Sequence, residues 1–348
     1  MAHNRQFTPL AQAQAPFFVG VDVGGTNIKI GVVDDEGRPL SWTSIATEVE
    51  RGPRDAIDRI DLAMQRAIAE AGLEKSAVAR VGLGTPGTMD VAAGILLTPG
   101  NLPGWWNFPI KSALAEACGL PVTFANDARS AAYGEYWAGS GRVLHSMVLF
   151  TLGTGVGGGI VIGDLLVTGE HSAGSELGHL IIDCSDEGRV CSCGGRGHVE
   201  AYASAPSVVK RTQEALALNA GRPSSLRQRI AAGEDLTALV IDEEAERGDG
   251  LALEIVLETA RYLGIGIVSA MHSIDPNGVV IGGAMTFGGH NTQTGRKFLE
   301  RVKQEVRARA LPTLAELTTI DFARLGGDAG FIGAAGLARR DYLQAASA

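Results

Sequence analysis

The chain has few of the features that mark a protein for secretion, for membranes or for nucleic acid. Only four cysteines occur in 348 residues: Cys118, Cys184, Cys191 and Cys193. The last two lie one residue apart, which does not suit a disulfide framework and argues for a reduced, cytoplasmic setting. No apolar run reaches the ~18 residues that a membrane-spanning helix needs; the nearest, residues 262–271, is short and interrupted by glycine. The first sixteen residues lack the apolar centre of a secretory signal and read as a flexible tail. Lysine and arginine number 30 against 39 acidic residues, a net charge of −9, which argues against a protein that lives by binding nucleic-acid phosphates. The chain contains no Gly-Lys pair, so the phosphate loop GxxxxGK[ST] is absent.

What is abundant is glycine: 47 residues, nearly twice the ~7% average. These glycines are clustered rather than periodic, so collagen is excluded, and they point to tight turns and to places where backbone approaches a ligand. The composition, 45% hydrophobic and 20% charged, is that of a globular protein, and at ~150 residues per domain the length suggests two domains.

Residues 17–23 read as a strand, GGTN as a turn, and 28–33 as a second strand followed by the turn DDEG. Ile57, Ile60, Met64, Ile68 and Ala71 recur at helical spacing, with Pro53 placed to open that helix and Gly72 to close it. The strand VGLGTPG leads to the loop TPGNLPGWW, then a helix over 110–118, the strand PVTFAND and a helix from Ala128 to about Trp137. After Gly139 the pattern restarts: strand SMVLFTL, turn GTGVGGG, strand IVIGDLLV. Laying VGVDVGGTNIKIGVVD over VLFTLGTGVGGGIVIGD superposes strand, glycine turn and strand, the mark of a duplicated unit. The boundary falls near residues 136–142, giving domains over 17–138 and 139–329, with the final helix over 330–348 packing back on the first. Strand–turn–strand units mixed with helices indicate α/β architecture.

Gly153-Thr-Gly155-Val-Gly157-Gly158 satisfies GxGxxG, yet that dinucleotide fingerprint requires its third glycine to open a helix, and Ile160-Val161-Ile162 follows instead. Two glycine-rich hairpin turns remain, each with a hydroxyl residue, Thr26 and Thr154. Alone, either is an ordinary hairpin turn. In register within a duplicated unit, their backbone N–H groups suit a polyphosphate held from both sides.

Asp22-Val-Gly-Gly-Thr26, the strand ending Asn126-Asp127, and LGTGVGGG together resemble the ATPase domain shared by sugar kinases, Hsp70-type chaperones and actin. Glu176-Leu-Gly-His179, followed by Cys191-x-Cys193-Gly-Gly-Arg-Gly-His198-x-Glu200, resembles the signature of the ROK family (repressor, open reading frame, kinase). The resemblance runs from about Phe17 to the C-terminus. It implies a two-domain actin-like ATPase fold, a duplicated ribonuclease H-like unit with the active site in the interdomain cleft, and ATP-dependent phosphorylation of a hexose.

His179, Cys191, Cys193 and His198 offer four nitrogen and sulfur donors in a short loop-rich stretch, a set that suits a closed tetrahedral zinc site. ROK members usually carry a cysteine where this chain has His198, and Cys184 is a spare candidate. The H-x-E of His198-Val-Glu200 mimics a zinc deaminase, but that signature needs Pro-Cys-x-x-Cys downstream, and every cysteine lies upstream.

Asp127, at a strand end before a helix, reads on its own as a helix cap. The resemblance implies instead that Asp127 is the catalytic base and that Asn101, Asn126, Asp127, Glu176, His179 and Glu200 contact the sugar, His179 also holding zinc. Arg129 stands where the family often has a second Asn. For the nucleotide it implies Asp22 (helping to hold Mg²⁺), Gly24, Gly25, Thr26, Asn27 and Lys29 at the first turn. Gly153, Thr154 and Gly155 belong to the second turn, and Gly282 and Gly283 to the adenosine end. Trp105 or Trp106 would wall the pocket, although paired tryptophans also serve as core. The wording NLPGW is most like the family's bacterial glucokinases, which tilts the acceptor towards the 6-hydroxyl of glucose. Alternatives are an N-acetylmannosamine, N-acetylglucosamine or fructose kinase, or a sugar-binding regulator without catalysis. A family repressor needs a helix-turn-helix ahead of residue 17, where only sixteen residues precede. Dimers are usual in the family, so a homodimer or higher homo-oligomer is expected, with no nucleic-acid or membrane partner.

Overall fold

A computed structural model describes residues 5–218 and 221–347. In chain order the elements begin with β1 (Phe17–Val23), β2 (Asn27–Val33), β3 (Pro39–Ala46), α1 (Gly52–Glu70), β4 (Val78–Thr85), β5 (Thr88–Asp90) and β6 (Ile95–Thr98). They continue with α2 (Ile110–Cys118), β7 (Val122–Asn126), α3 (Asp127–Ala138), β8 (Ser146–Leu152), β9 (Val156–Ile162) and β10 (Leu165–Leu166). The helices α4 (Glu200–Ala203), α5 (Ala205–Leu218), α6 (Ser225–Ala231), α7 (Ala238–Glu246) and α8 (Gly250–Ile274) follow. The chain closes with β11 (Gly278–Gly283), α9 (Gln293–Arg309), α10 (Pro312–Leu317), β12 (Thr319–Phe322) and α11 (Ala329–Ser347).

Two five-stranded sheets carry the fold, in the orders β3-β2-β1-β4-β7 and β10-β9-β8-β11-β12. In the first, β3, β2 and β1 form an antiparallel meander and β1, β4 and β7 run parallel. The second has the same order of connection: β8, β11 and β12 are parallel and β10 is antiparallel to β9. The duplication visible in the sequence is thus a repeated strand plan.

Contacts divide the chain into two units: one of the residues up to Val143, Gly159–Ser175 and the residues from Gly327, the other of Leu144–Gly158 and Glu176–Gly326. This differs from the division expected at 138/139 by a few residues at the boundaries, 139–143 and 327–329, and in one whole segment. Gly159–Ser175 groups with the first unit because α3 holds it: Tyr133 donates to Asp164, and Arg129 donates to the carbonyls of Thr168 and Ser172.

The first unit's core sets Ile57, Ile60, Met64 and Ile68 of α1 against Val19, Val21 and Ile30 of the sheet, the apolar stripe that the helical spacing demands. The other sheet face is covered by α11, at unusually close range. A methyl group on Gly20 would stand 1.8 Å from the Phe331 carbonyl oxygen, and one on Gly82 1.8 Å from that of Ala334. Only glycine admits a helix backbone so near a strand.

Two further expectations are corrected. The N-terminal segment is not a loose tail: its first four residues lie outside the described residues, but the rest is tied down. Arg5 pairs with Asp328 at 2.8 Å and stacks on Trp42, Gln14 N–H donates to Asp34, and Asp35 N–H donates to the Gln14 carbonyl. Nor is GTGVGGG a turn throughout, because β9 already begins at Val156. Gly157–Gly159 are strand residues, and Gly153 N–H closes the short turn on the Gly155 carbonyl.

Candidate active site and metal centre

In the first unit, the parallel strands end on one edge of the sheet, and register sets the residues there. Asp22 pairs with Gly84, and Thr85 pairs with Asn126. Asp22 also lies opposite Lys29 on β2, 4.0 Å away. The Asp22 carboxyl is only 18% exposed. Burial, and then the negative charge of Asp127, push its pKa up to about 6 against the pull of Lys29. A carboxyl whose ionisation is opposed by burial and by a second carboxylate is a demand for a cation or for a proton.

The first glycine turn is tight, with Gly24 N–H donating to the Asn27 carbonyl. Thr47, fully buried, braces it: its hydroxyl donates to the Gly24 carbonyl at 2.7 Å and its N–H to the Thr26 carbonyl. Nothing in the sequence pattern singled out Thr47. Gly25 and Thr26 are exposed, and a methyl group on Gly25 would lie 3.1 Å from the Asn101 carbonyl oxygen, so the turn and the NLPGW loop abut. Lys29 spends a donor on the Gly327 carbonyl at 2.8 Å, fixing the chain just before α11.

The cap of α3 is Asn126, not Asp127. Its carbonyl oxygen accepts from the N–H groups of Ala128 and Arg129 at 3.0 and 3.2 Å, the favoured use of Asn at that position. Asp127 is the first helical residue and accepts from Ala128 N–H at 2.8 Å, where the helix dipole favours its negative charge. The tryptophan pair divides: Trp105 is fully buried in the core and donates to the Val49 carbonyl, while Trp106 is 61% exposed. Trp105 therefore serves as core and walls no pocket.

In the second unit, the turn Gly153–Gly155 and the end of β11 lie together. Gly283 pairs with Leu152, and Met285 N–H donates to the Leu152 carbonyl. Gly283 adopts φ +93°, and a methyl group there would sit 2.2 Å from the Leu152 oxygen. Gly282 is buried and pairs with Thr151. Glu200 backs the same turn, one carboxylate oxygen accepting from Val156 N–H at 3.0 Å and the other from Ser192 Oγ and Cys191 Sγ. A methyl group on Gly155 would stand 2.6 Å from that first oxygen. Glu200 thus links the glycine turn to the cysteine loop.

The donor atoms of His179, Cys191, Cys193 and His198 all lie within 4.8 Å of one another. Cys191 Sγ is 3.8 Å from His179 Nδ1, and Cys193 Sγ is 3.3 Å from His198 Nδ1. Bonds of about 2.0–2.3 Å to a tetrahedral metal imply ligand–ligand edges of about 3.3–3.8 Å, so the set fits zinc. Backbone bonds build the cradle: Cys191 N–H to Gly195, Gly194 N–H to Cys191, and Ile182 N–H to Gly197. Cys184 is exposed and lies outside the cluster. Glu176 precedes the short 3₁₀ turn of Leu177–His179, its carbonyl accepting from His179 N–H. Among the described residues, no helix is long and apolar enough to cross a membrane.

The ROK family model matches residues 18–341. A glucokinase of Halalkalibacterium halodurans is 34% identical over 324 residues, covering 93% of this chain and 95% of the relative. Among solved structures, the ROK hexokinase of Thermus thermophilus superposes with a TM-score of 0.76 at 33% identity, covering 95% of this chain and 100% of that one. A ROK glucokinase from Streptomyces griseus in complex with glucose and AMPPNP does so with 0.74 at 32%, covering 93% and 99%. With the repeated sheet plan, the two glycine turns and a match over nearly all its length, the chain belongs to the ROK family and has its actin-like ATPase fold.

Proposed function

We propose that the protein transfers the γ-phosphoryl group of ATP to the 6-hydroxyl of glucose. The chain is an ATP-dependent sugar kinase of the ROK family, with glucokinases among its relatives at 31–34% identity. The observation that carries the site assignment is that Asp22, at the end of β1, feels the charge of Asp127, at the start of α3, beside the turn whose Gly25 and Thr26 are exposed.

Phosphoryl transfer leaves the protein little covalent chemistry; it must position the groups, offset charge and take a proton from the attacking alcohol. Asp127 is the base, its carboxylate held at the first turn of α3 by Ala128 N–H. Asn126 orients it through the cap, leaving its amide N–H groups to donate to sugar hydroxyls. Asn101, Glu176, His179 and Glu200 complete the sugar contacts. The turns Gly24–Asn27 and Gly153–Gly155, with Lys29, receive the phosphates, the N–H groups of Gly24 and Gly153 holding the turns themselves in shape, and Gly282 and Gly283 lie at the adenosine end. Asp22 is suited to hold Mg²⁺ or its waters, and that cation would supply charge neutralisation at the phosphates. His179, Cys191, Cys193 and His198 would hold zinc, which would fix the loop, and the second nitrogen of His179 would then be oriented towards the sugar. The reading carries a cytoplasmic setting and a homo-oligomeric assembly.

A coupled assay across glucose, N-acetylmannosamine, N-acetylglucosamine and fructose tests it, with the highest kcat/KM expected for glucose. Asp127→Asn is expected to lose about 10²–10⁴-fold in kcat with little change in glucose KM. Strong turnover of an amino sugar beside none of glucose overturns the acceptor, and an unimpaired Asp127→Asn overturns the base.

A further inference from the structure

Arg129 is a buried cation, 2% exposed, two residues beyond Asp127 on the first turn of α3. Its guanidinium reaches across to the loop after β10, donating to the Thr168 carbonyl at 3.2 Å and to the Ser172 carbonyl at 2.7 Å. That loop holds a conformation it would not keep alone. Gly169, Ser172 and Ser175 all have left-handed backbone, at φ +75°, +57° and +66°, and non-glycine residues persist there only when their surroundings impose it. Within the loop, Gly174 N–H donates to the Thr168 carbonyl and Ser175 Oγ to the Val167 carbonyl. From the far side, Val91 N–H donates to Ser172 Oγ at 3.1 Å. Ser172 is therefore gripped twice, by Arg129 through its carbonyl and by Val91 through its hydroxyl. The chain runs from this loop straight into Glu176.

We propose that Arg129 is a positioning residue for the acceptor sugar, a staple that ties the helix carrying Asp127 to the loop delivering Glu176. A planar guanidinium with several donors spans two carbonyls of one loop; a lysine ammonium has one nitrogen and reaches one of them. This rests on the sugar-kinase reading above, but its two readouts separate. Hydrogen–deuterium exchange over residues 168–175 reports the staple whatever the reaction, and kinetics with the best sugar of the panel report its use.

In Arg129→Met, exchange across 168–175 is expected to quicken at least about tenfold, with loss of the two bonds. The KM for sugar should rise about tenfold while that for ATP stays within about twofold, because only the acceptor side is loosened. Arg129→Lys should fall between wild type and Arg129→Met on both readouts, a graded rescue that a purely packing role would not produce. Unchanged exchange in Arg129→Met overturns the staple, and faster exchange with unchanged sugar KM overturns its role in positioning. Should Arg129→Met fail to fold, Ser172→Gly releases the same loop from Val91 while keeping the left-handed backbone. It is expected to move exchange and sugar KM in the same directions, and its failure to move either overturns the proposal.

Discussion

At the scale of single residues, Asp22 carries a conflict between stability and function. Its pKa of about 6 lies above the ordinary aspartate value of 3.8, chiefly because burial disfavours the charged form. The folded protein therefore binds this proton more tightly than the unfolded chain does. Its contribution is fully present below pH 4, is lost as the pH rises to about 6, and remains a deficit above that. Asp22→Asn removes the charge and is expected to raise stability by about 1–3 kcal/mol at pH 7, with little gain at pH 4. Thermal melts without nucleotide or divalent cation across that range check it. The same variant should lose most of its kinase activity. The opposite sign, a less stable Asp22→Asn at neutral pH, would mean that Lys29 outweighs burial.

At the scale of elements, the cysteine–histidine loop depends on its donors more than on its core. Cys191 is buried, but Cys193 is exposed, and the loop around them holds itself by a few backbone bonds. One equivalent of zinc per chain is expected by metal analysis. Stripping it with a chelator, or Cys191→Ser, should lower the melting temperature and reduce sugar kcat/KM about 10–100-fold. Metal-free protein with full activity and an unshifted melt would refute a structural metal.

Elements whose own residues decide their ends were legible in the sequence. The helix over Ile110–Cys118 and the strand Ser146–Leu152 have the expected limits, the first because Gly119 turns left-handed at its end. β3 is not legible, since it opens on Pro39 and has a serine, Ser41, at one of its two buried positions. β12 is only four residues long, alternately exposed and buried. At the site, motif residues declared themselves, whereas Thr47 and the anchoring partners Asp328 and Trp42 did not. Their roles come from neighbours distant in sequence, and one sequence carries no sign of such contacts.

At the scale of the whole molecule, the first unit is assembled from three separated stretches, its sheet covered by the helix that ends the described chain. The glycine contacts make this seam intolerant. Gly82→Ala drives a methyl group into the Ala334 backbone, which cannot swing aside as a side chain can. A loss of about 2–4 kcal/mol is expected by denaturant titration. A near-neutral Gly82→Ala would mean that α11 rides more loosely on β4 than the 1.8 Å approach implies.

This threading dictates an order of assembly on the ribosome. Leu144–Gly158 and Glu176–Gly326 are all synthesised between β4 and the helix that seals β1 and β4. β1 and β4 must wait for α11, which follows them in the chain beyond the whole second unit. During that interval these uncovered strands are the part of the nascent protein most in need of a chaperone.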